Sequence, residues 1–209
     1  MGLRERRERE RKERREQILR AARVLLTTEG LHTTSIAKIA REVELGVGTI
    51  YFYFKSKEEI FSVVQMEGLE LLRKSIDAAA NSESSEEEQL RAAARVYLDF
   101  SRKHKDYFDV INYFLSSPKV AFSAQLKEQI DACGSRILSR IEDIVTSGAK
   151  KGVFRKVDAH KFSLLLWGML HGLIQFRKLR TTLLKGENHQ LLVEHAIDHL
   201  VHSLSPQGA

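Results

Sequence analysis

Apolar residues recur every three or four positions along almost the whole chain, the spacing that puts one greasy stripe on an α-helix. Nowhere do they alternate one by one as in a half-buried strand, and no internal repeat is visible, so the pattern predicts an all-α protein. Ile18, Leu19, Ala22, Leu25 and Leu26 form the buried face of a first helix that stops near Gly30. Ile36, Ile39, Ala40 and Val43 form a second, with Thr34 or Ser35 as its cap. The pattern then breaks over Glu44, Leu45 and Gly46, where Leu45 plugs the angle and Gly46 is expected to relieve the backbone. A short third segment follows, with Val47, Ile50 and Phe54 expected to face inward and Gly48, Thr49, Tyr51, Phe52 and Tyr53 spread over the other faces.

Ser56 and Glu59 have the spacing of a capping box that opens a longer helix, with Ile60, Val63, Val64, Leu71 and Leu72 turned inward. A serine-rich break at 81 to 85 precedes a helix striped by Leu90, Ala93, Ala94, Tyr97 and Leu98, capped by Ser84 or Ser85. Next come a short aromatic helix at about 106 to 115, ended by Pro118, and a long one at about 120 to 150. Residues 162 to 176 are apolar nearly all the way round, so that helix needs cover on every side. Leu191, Leu192, Ala196, Ile197, Leu200, Val201 and Leu204 mark the last amphipathic helix.

Charge sharpens this picture. The net charge of +6 lies wholly on residues 1 to 57, which hold fourteen Lys and Arg against eight Asp and Glu; the remainder holds twenty of each. A positive end beside a neutral body points to a polyanionic partner for that end. Part of the excess sits in the mixed-sign run 4 to 16, read either as a frayed, solvated extension of the first helix or as a basic arm laid on phosphates or in a minor groove. Cys133 is alone, which rules out a disulfide framework within the chain and a cysteine zinc site. No apolar run is long enough to span a bilayer and the start is not signal-like, so a cytoplasmic protein with no membrane association is expected.

Two short helices joined by a tight turn, the second exposing small and hydroxyl-bearing residues, suit a reader of the DNA major groove. Here a family resemblance appears. Gly48 to Glu58, GTIYFYFKSKE, with Thr33, Thr34, Ser35, Ile39 and Ala40 before it, resembles the helix-turn-helix of TetR-family transcriptional repressors. The likeness covers roughly residues 17 to 64; beyond, the chain fits that family in length and helical pattern. One departure stands out: where the family usually has Ala-Gly-Val-Ser at the turn, this chain has Val43, Glu44, Leu45 and Gly46, so position 46 has no hydroxyl to offer a phosphate.

The resemblance implies a three-helix DNA-binding head at 1 to 57 (charged arm 1 to 16) and an effector-binding, dimerising domain at 58 to 209. It implies a ligand-responsive repressor, neither enzyme nor cofactor-dependent, that holds a palindromic operator as a homodimer. Thr49, Tyr51 and Tyr53 are the first expected DNA contacts, with Val47, Gly48 and Phe52 against bases and Thr33 or Thr34 and Lys57 on phosphates. The rival reading packs Tyr51 or Tyr53 into the head's core.

In the body, Tyr97, Phe100, Phe108, Phe114, Phe122, Trp167 and His171 are the expected lining of an inducer pocket for a hydrophobic or amphipathic molecule. The stretch GVGTIYFYF, 46 to 54, resembles repressors that answer to fatty acyl-CoA. The last two helices, about 158 to 204, are expected to pair with their copies. His195, His199 and His202 share a side of the last helix, but no further ligand motif joins them, so no metal is assigned. A small helical enzyme using the aromatic cavity is the alternative, although no nucleophile–base arrangement and no catalytic residue is found.

Overall fold

The computed structural model describes residues 2–30, 32–116, 123–179, 181–182 and 184–206. Among these residues there are nine α-helices and no strand: α1 (Leu3–Thr28), α2 (Ile36–Glu42), α3 (Val47–Tyr53), α4 (Lys57–Asn81), α5 (Glu86–Lys103), α6 (Lys105–Ser116), α7 (Ala124–Lys150), α8 (Ala159–Phe176) and α9 (His189–His202). A short 3-10 turn, Arg177–Leu179, follows α8. Pro118 and the expected start of α7 near Val120 lie outside the described residues. The chain forms two compact units, one of Met1–Leu69 with His104–Asp131 and one of Glu70–Lys103 with Ala132–Ala209.

In the first unit, every residue expected on the inner face of α1 is buried, from Ile18 to Leu26. They meet Ile39 and Ala40 of α2, Ile50 and Phe54 at α3, and Ile60, Phe61 and Val64 of α4 in one apolar cluster. Ser35, not Thr34, caps α2, its hydroxyl accepting from the Lys38 N–H at 3.3 Å. Ser56 accepts from the Glu59 N–H at 3.2 Å, while the Glu59 carboxylate reaches back one residue further than expected, to the Lys55 N–H at 2.7 Å. Tyr107 of α6 is wedged against Gly68, where a Cβ would come within 2.8 Å of it, and stacks under the Arg23 guanidinium, 5.1 Å from the ring centre.

The arm is not frayed. Residues 3 to 16 are one helix with the rest of α1, and Arg6–Glu10 at 2.8 Å, Arg9–Glu13 at 3.7 Å and Arg4–Glu8 at 3.9 Å are spaced four apart along it. Pairs so exposed are screened by water and salt and add little, so the helix is held from its buried end rather than by its charges.

The second unit packs α5 against both α8 and α9. Arg91 pairs with Asp198, and Arg95 donates to Glu194 at 3.4 Å. Glu86 opens α5 with its side chain buried, accepting from Ser147 at 2.9 Å and facing Lys151 at 2.5 Å. The Lys151 ammonium first, then the Ser147 hydroxyl, hold its carboxyl below the usual range against the cost of burial. The chain turns sharply after α7: Phe154 lies on Gly148 so closely that a Cβ there would meet its ring at 2.1 Å.

Two inner-face expectations and one backbone expectation need correction. Val47, at the start of α3, is 42% exposed, because it stands beyond the two anchors Ile50 and Phe54. Leu191 is 67% exposed, and Val193 takes the inner place on α9 with Ile197 and Val201. The backbone release in the α2–α3 turn falls on Glu44, at φ +54°, whereas Gly46 is an ordinary extended helix cap at φ −67°. A left-handed conformation costs an ordinary L-residue roughly 1–2 kcal/mol. Replacing Glu44 with Gly is therefore expected to raise stability by about 0.5–1 kcal/mol, and Glu44→Val to lower it by more, as read by denaturant melts.

Candidate nucleic-acid interface and effector site

The turn of Val43 to Gly46 sets the angle at which α3 leaves α2. Leu45 packs against the apolar cluster at that corner, and its N–H donates to Ala40 O at 2.8 Å. Two side chains then fix α3: Ile50, fully buried, and Phe54 at its C-terminal end, 1% exposed. The rest is open. Val47, Gly48, Thr49, Tyr51 and Phe52 are all exposed, Phe52 at 69%.

Tyr53 is half-buried and packs on the cluster, while its ring meets Phe52 edge to face at 5.2 Å. Of the two tyrosines, then, Tyr53 packs on the core and Tyr51 does not. Lys57 is half-buried at the first residue of α4, three positions past Phe54. Thr33 is exposed, its hydroxyl donating to Gly30 O at 3.0 Å. Thr34 is corrected: at 1% exposure its hydroxyl donates to Gly30 O at 2.8 Å, and closing that loop takes its side chain out of reach of an outside partner. Outward residue types here are hydroxyl, small and aromatic; such a face can touch sugar–phosphate oxygens and thymine methyls but offers no bidentate base reader.

Sequence reasoning missed two stacked cations at this site. The Arg11 guanidinium lies 5.6 Å over the Phe52 ring and that of Arg15 lies 4.8 Å over Phe54. Both follow from the arm being helical, a property that its mixed charges did not settle.

In the second unit Tyr97, Trp167 and His171 come together. The Trp167 Nε1–H donates to the Tyr97 hydroxyl at 3.1 Å, which is also 2.9 Å from His171 Nδ1. Burial pushes the Tyr97 phenol up to about 12 and lowers His171 from its ordinary value, so both favour the neutral form at pH 7. Phe100 is buried on the same helix as Tyr97. Phe108 and Phe114 belong to the first unit, where Phe114 packs against the head's apolar cluster. Phe122 lies outside the described residues.

Among the described residues, the all-round apolar α8 is covered on one side only. Phe162, Leu166, Leu170, Leu173 and Ile174 are buried, whereas Leu165, at 65%, and Phe176 are exposed. Gly168 and Gly172 stand between them with nothing within 4 Å of where a Cβ would be. His195 and His199 stack at 6.4 Å on the exposed side of α9.

Helix-turn-helix geometry on a helical body defines a class, and sequence comparison gives it a family. Residues 18–64 match the family model for bacterial regulatory proteins of the tetR family, and residues 90–200 match that of the tetracyclin repressor-like C-terminal domain. The chain belongs to the TetR family of transcriptional regulators.

Its curated relatives include an uncharacterized HTH-type regulator, YhgD, of Bacillus subtilis (strain 168), 28% identical over 68% of this chain and 72% of its own. The HTH-type transcriptional activator FasR of Mycolicibacterium smegmatis is 28% identical over 63% of this chain and 60% of its own. Among solved structures, FadR of Bacillus subtilis in complex with stearoyl-CoA matches with a TM-score of 0.75, over 90% of this chain and 98% of that one, at 19% identity. That last likeness carries the fold alone. No helix among the described residues is long and apolar enough to cross a membrane.

Exposure separates the two tyrosines in a way stability can read. Tyr51→Ala is expected to leave unfolding free energy within about 0.5 kcal/mol. Tyr53→Ala is expected to cost about 1–2 kcal/mol through weakened packing, measured by urea titration of the two variants side by side.

Proposed function

We propose that this protein is a homodimeric repressor that grips a palindromic DNA operator and releases it when a hydrophobic or amphipathic small molecule, of the acyl-CoA class, occupies the body. The observation that carries the reading is the outward face of α3, where Val47, Gly48, Thr49, Tyr51 and Phe52 stand exposed on a helix pinned by Ile50 and Phe54. In this reading α3 enters the major groove, Thr33 and Lys57 hold phosphates on either side, and Tyr53 contributes its hydroxyl edge. The head is residues 1 to 57 and the effector-binding, dimerising part 58 to 209. Dimerisation is supported by the uncovered apolar side of α8, Leu165, Gly168, Gly172 and Phe176, which a second copy would cover together with α9. Heads held by such a dimer meet half-sites about one helical turn, ~34–36 Å, apart.

DNA affinity is expected to fall steeply with salt, as counterions are no longer released at a gain. Tyr51→Ala with Lys57→Ala is expected to abolish binding while size-exclusion chromatography still returns a dimer. Undiminished binding by that pair of substitutions overturns the assignment of α3.

For the effector, support comes from the Tyr97–Trp167–His171 cluster, a polar group set among apolar helices. FadR, bound to stearoyl-CoA, shares the fold. Long-chain acyl-CoA at about a hundred times its dissociation constant adds about 2.7 kcal/mol to the folded state, so a melting shift of several degrees is expected. Trp167→Phe or Tyr97→Phe is expected to shrink it. Ligand then acts by binding better to a state whose heads are wrongly spaced for the operator.

A further inference from the structure

Outside α3, the least explained surface is the first half of α1. Successive residues of a helix turn by about 100°, which sets Arg4, Arg7, Arg11 and Arg14 on one line, with Arg15 at its edge. No acid falls on that line. Glu5, Glu10, Glu13 and Glu16 lie round the rest of the helix, where Arg6–Glu10 and Arg9–Glu13 pair, and Glu8, at the margin of the line, pairs with Arg4 at 3.9 Å. Arg14 donates to the neutral amide of Gln17 at 2.8 Å.

A helix kept merely solvated spreads both signs round its girth, because pairs four apart then form on every side. This one keeps four of its five glutamates clear of a single arginine stripe and the fifth at its margin. The same line runs on into Ile18, Ala22 and Leu25, which are buried. It therefore faces the domain where there is domain to face, and carries arginine where the helix overhangs it. Arg11 over Phe52 and Arg15 over Phe54 fix where the overhang lies, which is against the exposed recognition helix.

We propose that the line Arg4, Arg7, Arg11 and Arg14 is a second DNA surface, one that grips the phosphate backbone of the duplex flanking the stretch covered by α3. The inference rests on the reading of α3 as the DNA-contacting helix. Guanidinium groups fork onto phosphate oxygens and carry no base preference of their own, so the stripe adds affinity and register rather than sequence choice.

The full chain tests it. A 40-base-pair duplex is selected by the wild-type protein from a random-sequence pool, and binding is followed by fluorescence anisotropy over a range of salt. One variant carries Arg4→Gln, Arg7→Gln, Arg11→Gln and Arg14→Gln; a charge-matched control carries Arg6→Gln, Arg9→Gln, Lys12→Gln and Arg20→Gln. Glutamine keeps helix propensity close to arginine's, and circular dichroism checks that both remain helical.

The slope of log K against log salt is expected to drop by about 0.9 for each phosphate that the first variant no longer neutralises, and to stay near wild type in the control. Trimming the duplex flanks is expected to weaken the wild type and leave the first variant unchanged. Equal losses in both variants, or an unchanged slope in the first, overturn the arm. A wild type that retains no duplex from the pool overturns the reading of α3 and the arm with it.

Discussion

A helix of seven residues does not hold itself together in water, since closing its first turn costs more than the few hydrogen bonds return. α3 has to be stable while presenting most of its side chains to the outside, and that constraint organises the first unit. Its anchors are Ile50 and Phe54, both shut away from solvent. Burying such side chains contributes about 1.5–3 kcal/mol each, and Leu45 and Tyr53, packed on the same cluster, brace the two ends of the segment. Arg15 closes the outer side of Phe54. What remains of α3 is free to be chosen for contact rather than for folding.

Much of this was legible in the chain, for a definable reason. Periodicity reports which residues share a face, so the inner line of α1 and the stripe Ile36–Ile39–Ala40–Val43 read directly, as does the Ser56 cap from its residue type. Periodicity is silent where an element is too short to repeat. Val47 fits the three-and-four spacing with Ile50, yet it stands past the edge of the cluster. The turn misled in another way: glycine suggests where backbone freedom is needed, but here Glu44 takes the left-handed conformation and Gly46 does not. Nothing local could show that Thr34 turns inward, since the choice between Thr33 and Thr34 depends on how Gly30 closes the preceding helix.

Partnerships across long separations are the other illegible part. Tyr97 and His171 stand 74 residues apart, each on a stripe that plain core would explain equally well. Their hydrogen bond, with Trp167 on the same hydroxyl, turns three aromatic residues into one neutral polar group inside the second unit. The Glu86–Lys151 pair has the same character, for a glutamate at a helix start reads first as a partner for the helix dipole. In the first unit, Tyr107 against Gly68 and Arg23 joins α6 to α1 and α4.

The proposed division of labour on DNA follows from the residue types present. α3 has no Arg, Asn or Gln, the side chains that read base edges two bonds at a time. A face of hydroxyls, aromatics and one glycine discriminates weakly at each base, so sequence choice then rests on groove shape and on the gauge between two heads. Weak readout per base also limits the affinity that α3 can supply alone. Phosphate contacts carry no sequence information but are the main source of affinity, provided that they do not compete with the groove for position. A rigid stripe of arginine extending from the buried face of α1 meets that condition: it is fixed to the same core as α3, so its grip reinforces the register set by the heads instead of blurring it.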